Sequence, residues 1–480
     1  MTDGLLLNYI DGDWVDGTSE IANINPSDLS EVVAHHALAD INQANQAIEA
    51  AAAALPNWKN SNPQTRFDIL DKIGRIIISR QDELGQILAS EEGKTLAEAK
   101  GEAFRAGQFF QFYAAEALRR TGEVNESTRP NIDVEVLREP IGVTVLITPW
   151  NFPIAIPAWK IAPALAHGNT VVLKPSEITP ASAYYLTKIM EEAGLPAGVF
   201  NLLVAKGEDV GSALVSHPAV AGISFTGSVP TGRKIAQGAI QNMKKIQLEM
   251  GGKNPMVIMD DANLDIAIPV TINGAFYQTG QRCTASSRVI VHEKIYDAFV
   301  ERFIAEMESL SVGPALDAAT QIGPVVSETQ LKSNLSYVEI ARDEGCEVIS
   351  GQHLAESNTG YFQRPGVFLN ATNNMRSSRE EIFGPLASII KVGDFEEAIA
   401  TANDTDFGLS SAICTSSLYN AREFKRRSEA GMAMVNLPTA GVDYHVPFGG
   451  RKNSSYGSRE QGRAAIDFYT TTKTTYSFSG

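Results

Sequence analysis

The chain has 480 residues, of which 44% are hydrophobic and 20% charged, and a formal net charge of −16. That length exceeds what one hydrophobic core supports, so two or three domains are expected. The acid excess argues against a nucleic-acid partner, which needs a basic face. Cys283, Cys346 and Cys414 are the three cysteines, too scattered for a disulfide framework or a metal cluster. With no basic leader at the N-terminus, they point to a reducing, cytoplasmic setting and no metal. The most apolar long stretch, 141–166, holds Lys160, Asn151 and Pro149, Pro153, Pro157 and Pro163, which argues against a membrane span.

In chain order, Tyr9 to Val15 predicts a hairpin turning at Asp11-Gly12. Apolar periodicity then predicts helices over 41–58, 64–79 and 82–118, the last broken near Gly93 and again at Gly101. The first 120 residues therefore read as mostly helical. Residues 134–138 alternate as a strand does. From 143 onward, short apolar runs at 143–148, 170–173, 199–204, 222–225 and 245–250 alternate with helical stretches. Such alternation predicts a doubly wound parallel sheet, with ligands at the carboxyl ends of its strands. Gly251-Gly252 ends that run. A second α/β region follows, with strands at 256–259, 288–292, 347–350, 387–392 and 432–436. The tail 466–477 is Thr/Tyr-rich and strand-like, and a terminal strand of this kind suits a subunit-contact edge.

Several strand ends carry chemistry. Cys283 stands in Gly280-Gln-Arg-Cys283 beside Arg282, and a neighbouring positive charge favours the thiolate nucleophile. The alternative is a small, inert core cysteine. Glu249 sits inside an apolar strand, where burial raises a carboxyl toward a useful general-base range. Asn151, in Thr148-Pro-Trp-Asn-Phe-Pro153, is either an oxyanion donor or a turn residue. Phe225-Thr-Gly-Ser-Val-Pro-Thr-Gly232 links a strand to a helix N-terminus, as a phosphate cradle or a plain turn. Lys174 and Glu177 follow a strand where an adenosine ribose would lie, or are solvated loop charges. Glu381-Ile-Phe-Gly-Pro385 and Pro447-Phe-Gly-Gly450 read as turns carrying aromatics.

Taken together and in this order, the motifs resemble the aldehyde dehydrogenase superfamily along nearly the whole chain. The resemblance implies an α/β fold in three parts. A Rossmann-like NAD(P)-binding domain would take residues 1–121 and 141–250, a catalytic domain 251–445, and a β oligomerisation arm 122–140 and 463–480. It implies a homodimer or homotetramer. It makes Cys283 the nucleophile, Asn151 an oxyanion donor together with the Cys283 N–H, and Glu249 the base for hydrolysis. Lys160 and Glu460 would relay protons. NAD or NADP would rest on Thr148, Pro149, Trp150, Lys174, Ser176, Glu177, Gly227, Ser228, Glu381 and Phe383. Met250 stands where the family commonly has Leu, and Arg282 where many members carry a neutral residue. Residues 436–445 and 448–457 resemble the branch that oxidises α-ketoglutarate semialdehyde (2,5-dioxopentanoate). Arg282, Tyr444 and His445 are then the expected contacts to the substrate carboxylate. Succinate semialdehyde or a broad range of aldehydes is the alternative substrate. An acyl-transferring or non-catalytic relative is disfavoured by the joint presence of Cys283, Glu249 and Asn151.

Overall fold

Strands that are apolar on both faces must be covered on both faces, and the chain is laid out to do so. The computed structural model describes residues 4–119, 122–354 and 360–480. It opens with a hairpin, β1 (Asn8–Ile10) and β2 (Asp13–Val15), followed by helices α1 (Ile41–Lys59), α2 (Pro63–Ser79), α3 (Gln81–Glu92) and α4 (Leu96–Ala117). Asp40 with Gln43, and Thr95 with Glu98, form capping boxes on α1 and α4. Gly93 ends α3 in a left-handed conformation, φ 96°. Helix α4 runs unbroken through Gly101, contrary to expectation. A single interior glycine costs only about 1 kcal/mol, which tertiary packing readily overrides. The helical reading of this region also missed a small separate sheet of Leu5–Leu6, Ser19–Ile24 and Val32–Leu38.

Strands β3 (Gly122–Glu126) and β4 (Ile132–Pro140) come next. They precede the alternating run β5 (Val143–Ile147), α5 (Ala155–Ala166), β6 (Thr170–Lys174), α6 (Pro180–Ala193), β7 (Phe200–Leu202), α7 (Gly207–Ser216), β8 (Val220–Thr226), α8 (Val229–Ile240) and β9 (Lys245–Glu249). The second run holds β10 (Asn254–Ile258), α9 (Leu264–Phe276), β11 (Ser286–His292), β12 (Glu347–Ser350), β13 (Gly366–Leu369), β14 (Leu386–Val392), β15 (Ser410–Cys414) and β16 (Met432–Val435). Strands β13 and β15 had no expectation in the sequence; each is short and lacks a clear alternating pattern. Strands β17 (Ser455–Tyr456) and β18 (Thr470–Phe478) close the chain.

The first sheet has the order β17-β9-β8-β5-β6-β7-β1-β2, parallel from β9 to β7. Helices α2 to α6 pack on one face and α1, α7 and α8 on the other. Strands β5 to β7 advance in one direction and β8 and β9 in the other, so the order reverses between β5 and β8. That crevice is where doubly wound sheets bind ligands. The register sets Lys174, Ile147, Phe225 and Leu248 in one row across the sheet. Thr148, Thr226 and Glu249 follow at the same end. The second sheet, β12-β13-β14-β11-β10-β15-β16, is parallel apart from β12.

Strand β18 pairs antiparallel with β4, which pairs with β3, in a separate three-stranded arm. The tail is thus paired within its own chain on one side, and the β18 and β3 edges lie outermost. Residues Ile466–Tyr469 form a short helix rather than the start of that strand. Phe468 and Tyr469 are buried there in the core beneath the first sheet, which a strand leading into the arm could not achieve.

Candidate active site

Cys283 lies in a turn just before β11, at the junction of the two sheets. Asn254, the first residue of β10, holds that turn: its Nδ2 donates to the carbonyls of Cys283 (2.8 Å) and Ala285 (2.9 Å). Its Oδ1 accepts from the Ser410 N–H at 3.0 Å. Gly252 packs so closely that a Cβ there would lie 2.5 Å from the Cys283 carbonyl oxygen. At Gly251 a Cβ would lie 2.1 Å from Glu381 Oε2. The double glycine that ends the first sheet therefore lets the cysteine turn and the Glu381 carboxylate both approach the backbone closely.

Burial, with the nearby charges of Glu381 and Glu249, pushes the Cys283 thiol up to about 12. The expectation that Arg282 holds a thiolate is corrected. The Arg282 guanidinium turns away and donates to the carbonyls of Asn273 and Gly274 at the end of α9. Those carbonyls have few helical partners of their own and suit a cation.

Asn151 is buried in the proline-bounded loop after β5. Its Nδ2 donates to the Gln281 carbonyl at 3.0 Å, two residues before Cys283, which leaves its second N–H free. Among the described residues the Cys283 N–H meets no carbonyl. Glu249 ends β9. One carboxylate oxygen accepts from the Ser455 hydroxyl, while the other, also buried, has no partner. Burial first, and Glu460 second, hold its carboxyl well above the usual range. Lys160 and Glu460, both buried, form an ion pair, and Lys160 also donates to Ser224 Oγ at 2.7 Å. The second Glu460 oxygen is unpartnered.

A cavity of about 290 Å³ opens onto Cys283. Its wall includes Phe109, Phe152, Trp159 and Phe448, with Arg105 and Arg282 as its cations and Glu98 and Glu102 as its acids. Both acids are committed: Glu102 to Lys94 (2.6 Å), Glu98 to Thr95 Oγ1 (2.9 Å) and the Gln278 N–H (3.0 Å). Arg105 donates to the Val442 carbonyl and, like Arg282, forms no ion pair among the described residues. Tyr444 and His445 do not line the cavity. Tyr444 packs its ring on Phe109 and Phe112, and His445 is exposed. The same loop meets the cavity through Ala440, Gly441 and Val442 instead.

The crevice at the strand ends fits a dinucleotide. The buried hydroxyls of Thr148 and Thr226, at the ends of the two strands flanking the reversal, have no partner. Helix α8 starts at Ser228 with no side-chain cap, because Ser228 Oγ donates to Thr231 Oγ1 instead (3.0 Å). Its first N–H groups therefore remain free for an anion. The neighbouring Gly227 N–H donates to the Glu249 carbonyl at 3.0 Å. Lys174 Nζ lies 3.4 Å from Glu177 Oε2 and 3.1 Å from the Pro175 carbonyl. Burial lowers its pKa, and Glu177 offsets part of that. Ser176 Oγ accepts from the Ile178 N–H at 3.2 Å and so faces its own turn. Pro149 and Trp150 lie in the loop that carries Asn151, and the Trp150 ring meets Phe383 edge to face at 5.3 Å. Glu381 Oε1 accepts from the Gly252 N–H at 2.9 Å, and burial raises its carboxyl to about 7.

A family model, the aldehyde dehydrogenase family, matches residues 14–475. The chain belongs to that family. As a member it is an NAD(P)-dependent oxidoreductase acting on aldehydes. It is 44% identical to an alpha-ketoglutarate semialdehyde dehydrogenase of Haloferax volcanii over 475 residues, 98% of each chain. It is 42% identical to an alpha-ketoglutaric semialdehyde dehydrogenase of Bacillus subtilis over 475 residues, 98% of this chain and 97% of that one. The crystal structure of a betaine aldehyde dehydrogenase from Staphylococcus aureus in complex with NAD+ superposes with a TM-score of 0.96 at 32% identity, covering 99% of this chain and 95% of that chain. No helix among the described residues is long and apolar enough to cross a membrane.

Sequence reasoning did not find Arg105, Asn254, Ser455, or the pair Lys94 and Glu102. Arg105 and Glu102 are polar positions on a long helix and look like solvated charges until the fold closes the cavity over them. Asn254 and Ser455 have no local signature at all.

Proposed function

We propose that the chain oxidises α-ketoglutarate semialdehyde (2,5-dioxopentanoate) to the dicarboxylic acid, using NAD or NADP. The observation that carries the substrate reading is the cavity at Cys283, whose two guanidinium groups, Arg105 and Arg282, lack a carboxylate partner while both acids in the wall are already committed. A substrate with a carboxylate at the end remote from its aldehyde supplies the missing charge, and a guanidinium fork suits it. The substrates named for the two archaeal and bacterial relatives have that form.

In the proposed reaction the neutral Cys283 thiol gives its proton to Glu249 and the sulfur adds to the aldehyde carbon. The free N–H of Asn151 and the Cys283 N–H receive the developing oxyanion. Thr148, Pro149, Trp150, Lys174, Ser176, Glu177, Gly227, Ser228, Glu381 and Phe383 hold the dinucleotide. NAD(P), when bound, supplies the hydride acceptor that takes the thiohemiacetal to a thioester. Once that first proton has left Glu249, the carboxylate draws a proton from water, the hydroxide adds to the thioester carbonyl, and the departing sulfur takes the proton back from Glu249 as the carboxylic acid leaves. Lys160 and Glu460 pass the surplus proton outward. The unpartnered oxygens of Glu249 and Glu460 leave both groups acceptor capacity for these transfers.

We propose that residues 1–121 and 141–250 make the cofactor domain, 251–445 the catalytic domain, and 122–140 with 463–480 an arm that joins subunits into a homodimer or homotetramer, with Ile466–Tyr469 anchoring the arm in the core and Thr470–Phe478 as its strand. Exposed Val124, Tyr476 and Phe478 on the arm support that contact. Three unpaired cysteines fit a cytoplasmic home.

The test is a panel of α-ketoglutarate semialdehyde, succinate semialdehyde and propanal, each with NAD and NADP, with product analysis. The expected result is the free acid and the highest kcat/KM for α-ketoglutarate semialdehyde. Equal rates on propanal would remove the substrate reading, and an acyl-CoA product would remove the hydrolytic one.

A further inference from the structure

The Asn151 loop, 148–154, has no regular hydrogen bonding of its own, and Pro149 and Pro153 deprive it of two N–H donors. What holds it comes from elsewhere. Lys94 Nζ, fully buried, donates to the Asn151 carbonyl at 2.7 Å and to Glu102 Oε2 at 2.6 Å. The other Glu102 oxygen accepts from the N–H groups of Ile154 (2.9 Å) and Ala155 (3.0 Å). Ile154 is the N-cap of α5 and has no side chain able to cap it, so Glu102, projecting from α4, caps the helix from outside. The Phe152 ring lies over Lys94 Nζ at 4.1 Å. Burial alone would drive the Lys94 ammonium toward neutrality. Glu102, then Glu92 at 3.9 Å and Glu98, outweigh it and hold the pKa above the ordinary value. One ion pair therefore ties the residue before the helix, the helix end and the Asn151 main chain into a single unit.

We infer that Lys94 and Glu102 are positioning residues: they fix the Asn151 main chain so that its free amide N–H is aimed at the oxyanion. The inference rests on the reading of Asn151 as an oxyanion donor. Neither residue acts on the reacting atoms itself. Their effect is on the rate of acylation, because a donor placed before the reaction stabilises the transition state without reorganising, and a donor that wanders does not. Glu102 reaches the cavity wall, but both its oxygens are occupied by the loop and by Lys94.

The experiment compares Lys94→Met, Glu102→Gln, Asn151→Ala and the double variant Lys94→Met/Asn151→Ala in the full-length enzyme. The probes are NAD, α-ketoglutarate semialdehyde and propanal. Single-turnover NADH formation, kcat, KM and the rate of Cys283 alkylation by iodoacetamide are measured. The expected result for Lys94→Met is a single-turnover rate reduced about tenfold or more on both aldehydes. KM should stay within about threefold, and alkylation should be unchanged. Most decisively, the double variant should be no slower than Asn151→Ala, since residues acting through one group are not additive. Glu102→Gln keeps an acceptor for the helix and removes only the charge. It should show the same pattern in weaker form, and it carries the test if Lys94→Met does not fold. A double variant slower than Asn151→Ala by the full Lys94 factor overturns the inference, as does a Glu102→Gln enzyme with wild-type acylation. Wild-type acylation in Asn151→Ala would instead overturn the oxyanion reading beneath it.

Discussion

Lys94–Glu102 and Lys160–Glu460 are both buried lysine–carboxylate pairs, and both engage α5. Glu102 caps its first turn, and Lys160 projects from its second. They differ in what is left over. The Glu102 oxygens are both fully engaged, by Lys94 and by two backbone N–H groups. Glu460 keeps one oxygen without a partner, and so does its neighbour Glu249. A carboxylate with both oxygens satisfied is held rigidly, whereas one with a spare oxygen has somewhere for a proton to go; Glu92 beside Lys94 also keeps a bare oxygen, so the contrast is between Glu102 and Glu460 themselves. In the proposed reaction, the contrast separates a side of the site that holds geometry from a side that handles protons. Unsatisfied buried oxygens carry a stability cost of about 1–3 kcal/mol each, and such cost is commonly retained at functional sites.

The comparison breaks most severely at Glu249. Glu249→Gln should lower steady-state kcat by about a hundredfold to ten-thousandfold and slow the first turnover of NADH as well, visible by stopped flow, because Glu249 takes both the thiol proton and the proton of water. Because burial holds the Glu249 carboxyl above its usual range, the ionised base becomes more abundant as pH rises. Wild-type deacylation should therefore climb with pH through that group, and the variant should lose the slope.

The next effect tests stability. Lys94→Met should cost about 3–5 kcal/mol in urea unfolding, since it strands a buried carboxylate. Lys160→Met should cost less, because the Ser224 hydroxyl still lies 3.3 Å from Glu460 Oε1. An equal or reversed order would show that the two pairs are not built as differently as their hydrogen bonds suggest.

Arg105→Ala should lose about 1.5–3 kcal/mol of transition-state stabilisation on a carboxylate-bearing semialdehyde and little on propanal. Steady-state kcat/KM on the two substrates checks this. Ser455→Ala should produce the smallest change. Removing the one hydrogen bond that lowers the Glu249 pKa should move the pH–rate profile toward alkaline values.

Sheet-level architecture was legible because it depends on local composition. Strands such as Val143–Ile147 and Thr170–Lys174 are apolar on both faces, and the helices between them carry a 3.6-residue period. The tail's departure at Ile466–Tyr469 was not legible, since Thr- and Tyr-rich sequence favours strands until a core claims Phe468 and Tyr469. Among the substrate contacts, Tyr444 and His445 were expected from their place in the entrance loop. That loop instead presents its small residues to the cavity and turns the Tyr444 ring onto Phe109 and Phe112.

By itself the sequence determined the alternation of strand and helix, the family and the small set of motifs that carry the reaction, because each is written in contiguous residues. Only the tertiary structure decided where charges separated by many residues come together. Arg105 joins Arg282 at one cavity, and Lys94 joins Glu102 and Asn151 in the loop after β5. Electrostatics and hydrogen bonding act through space over a few ångströms, and the chain folds residues 57 positions apart into that range without leaving a local trace of having done so.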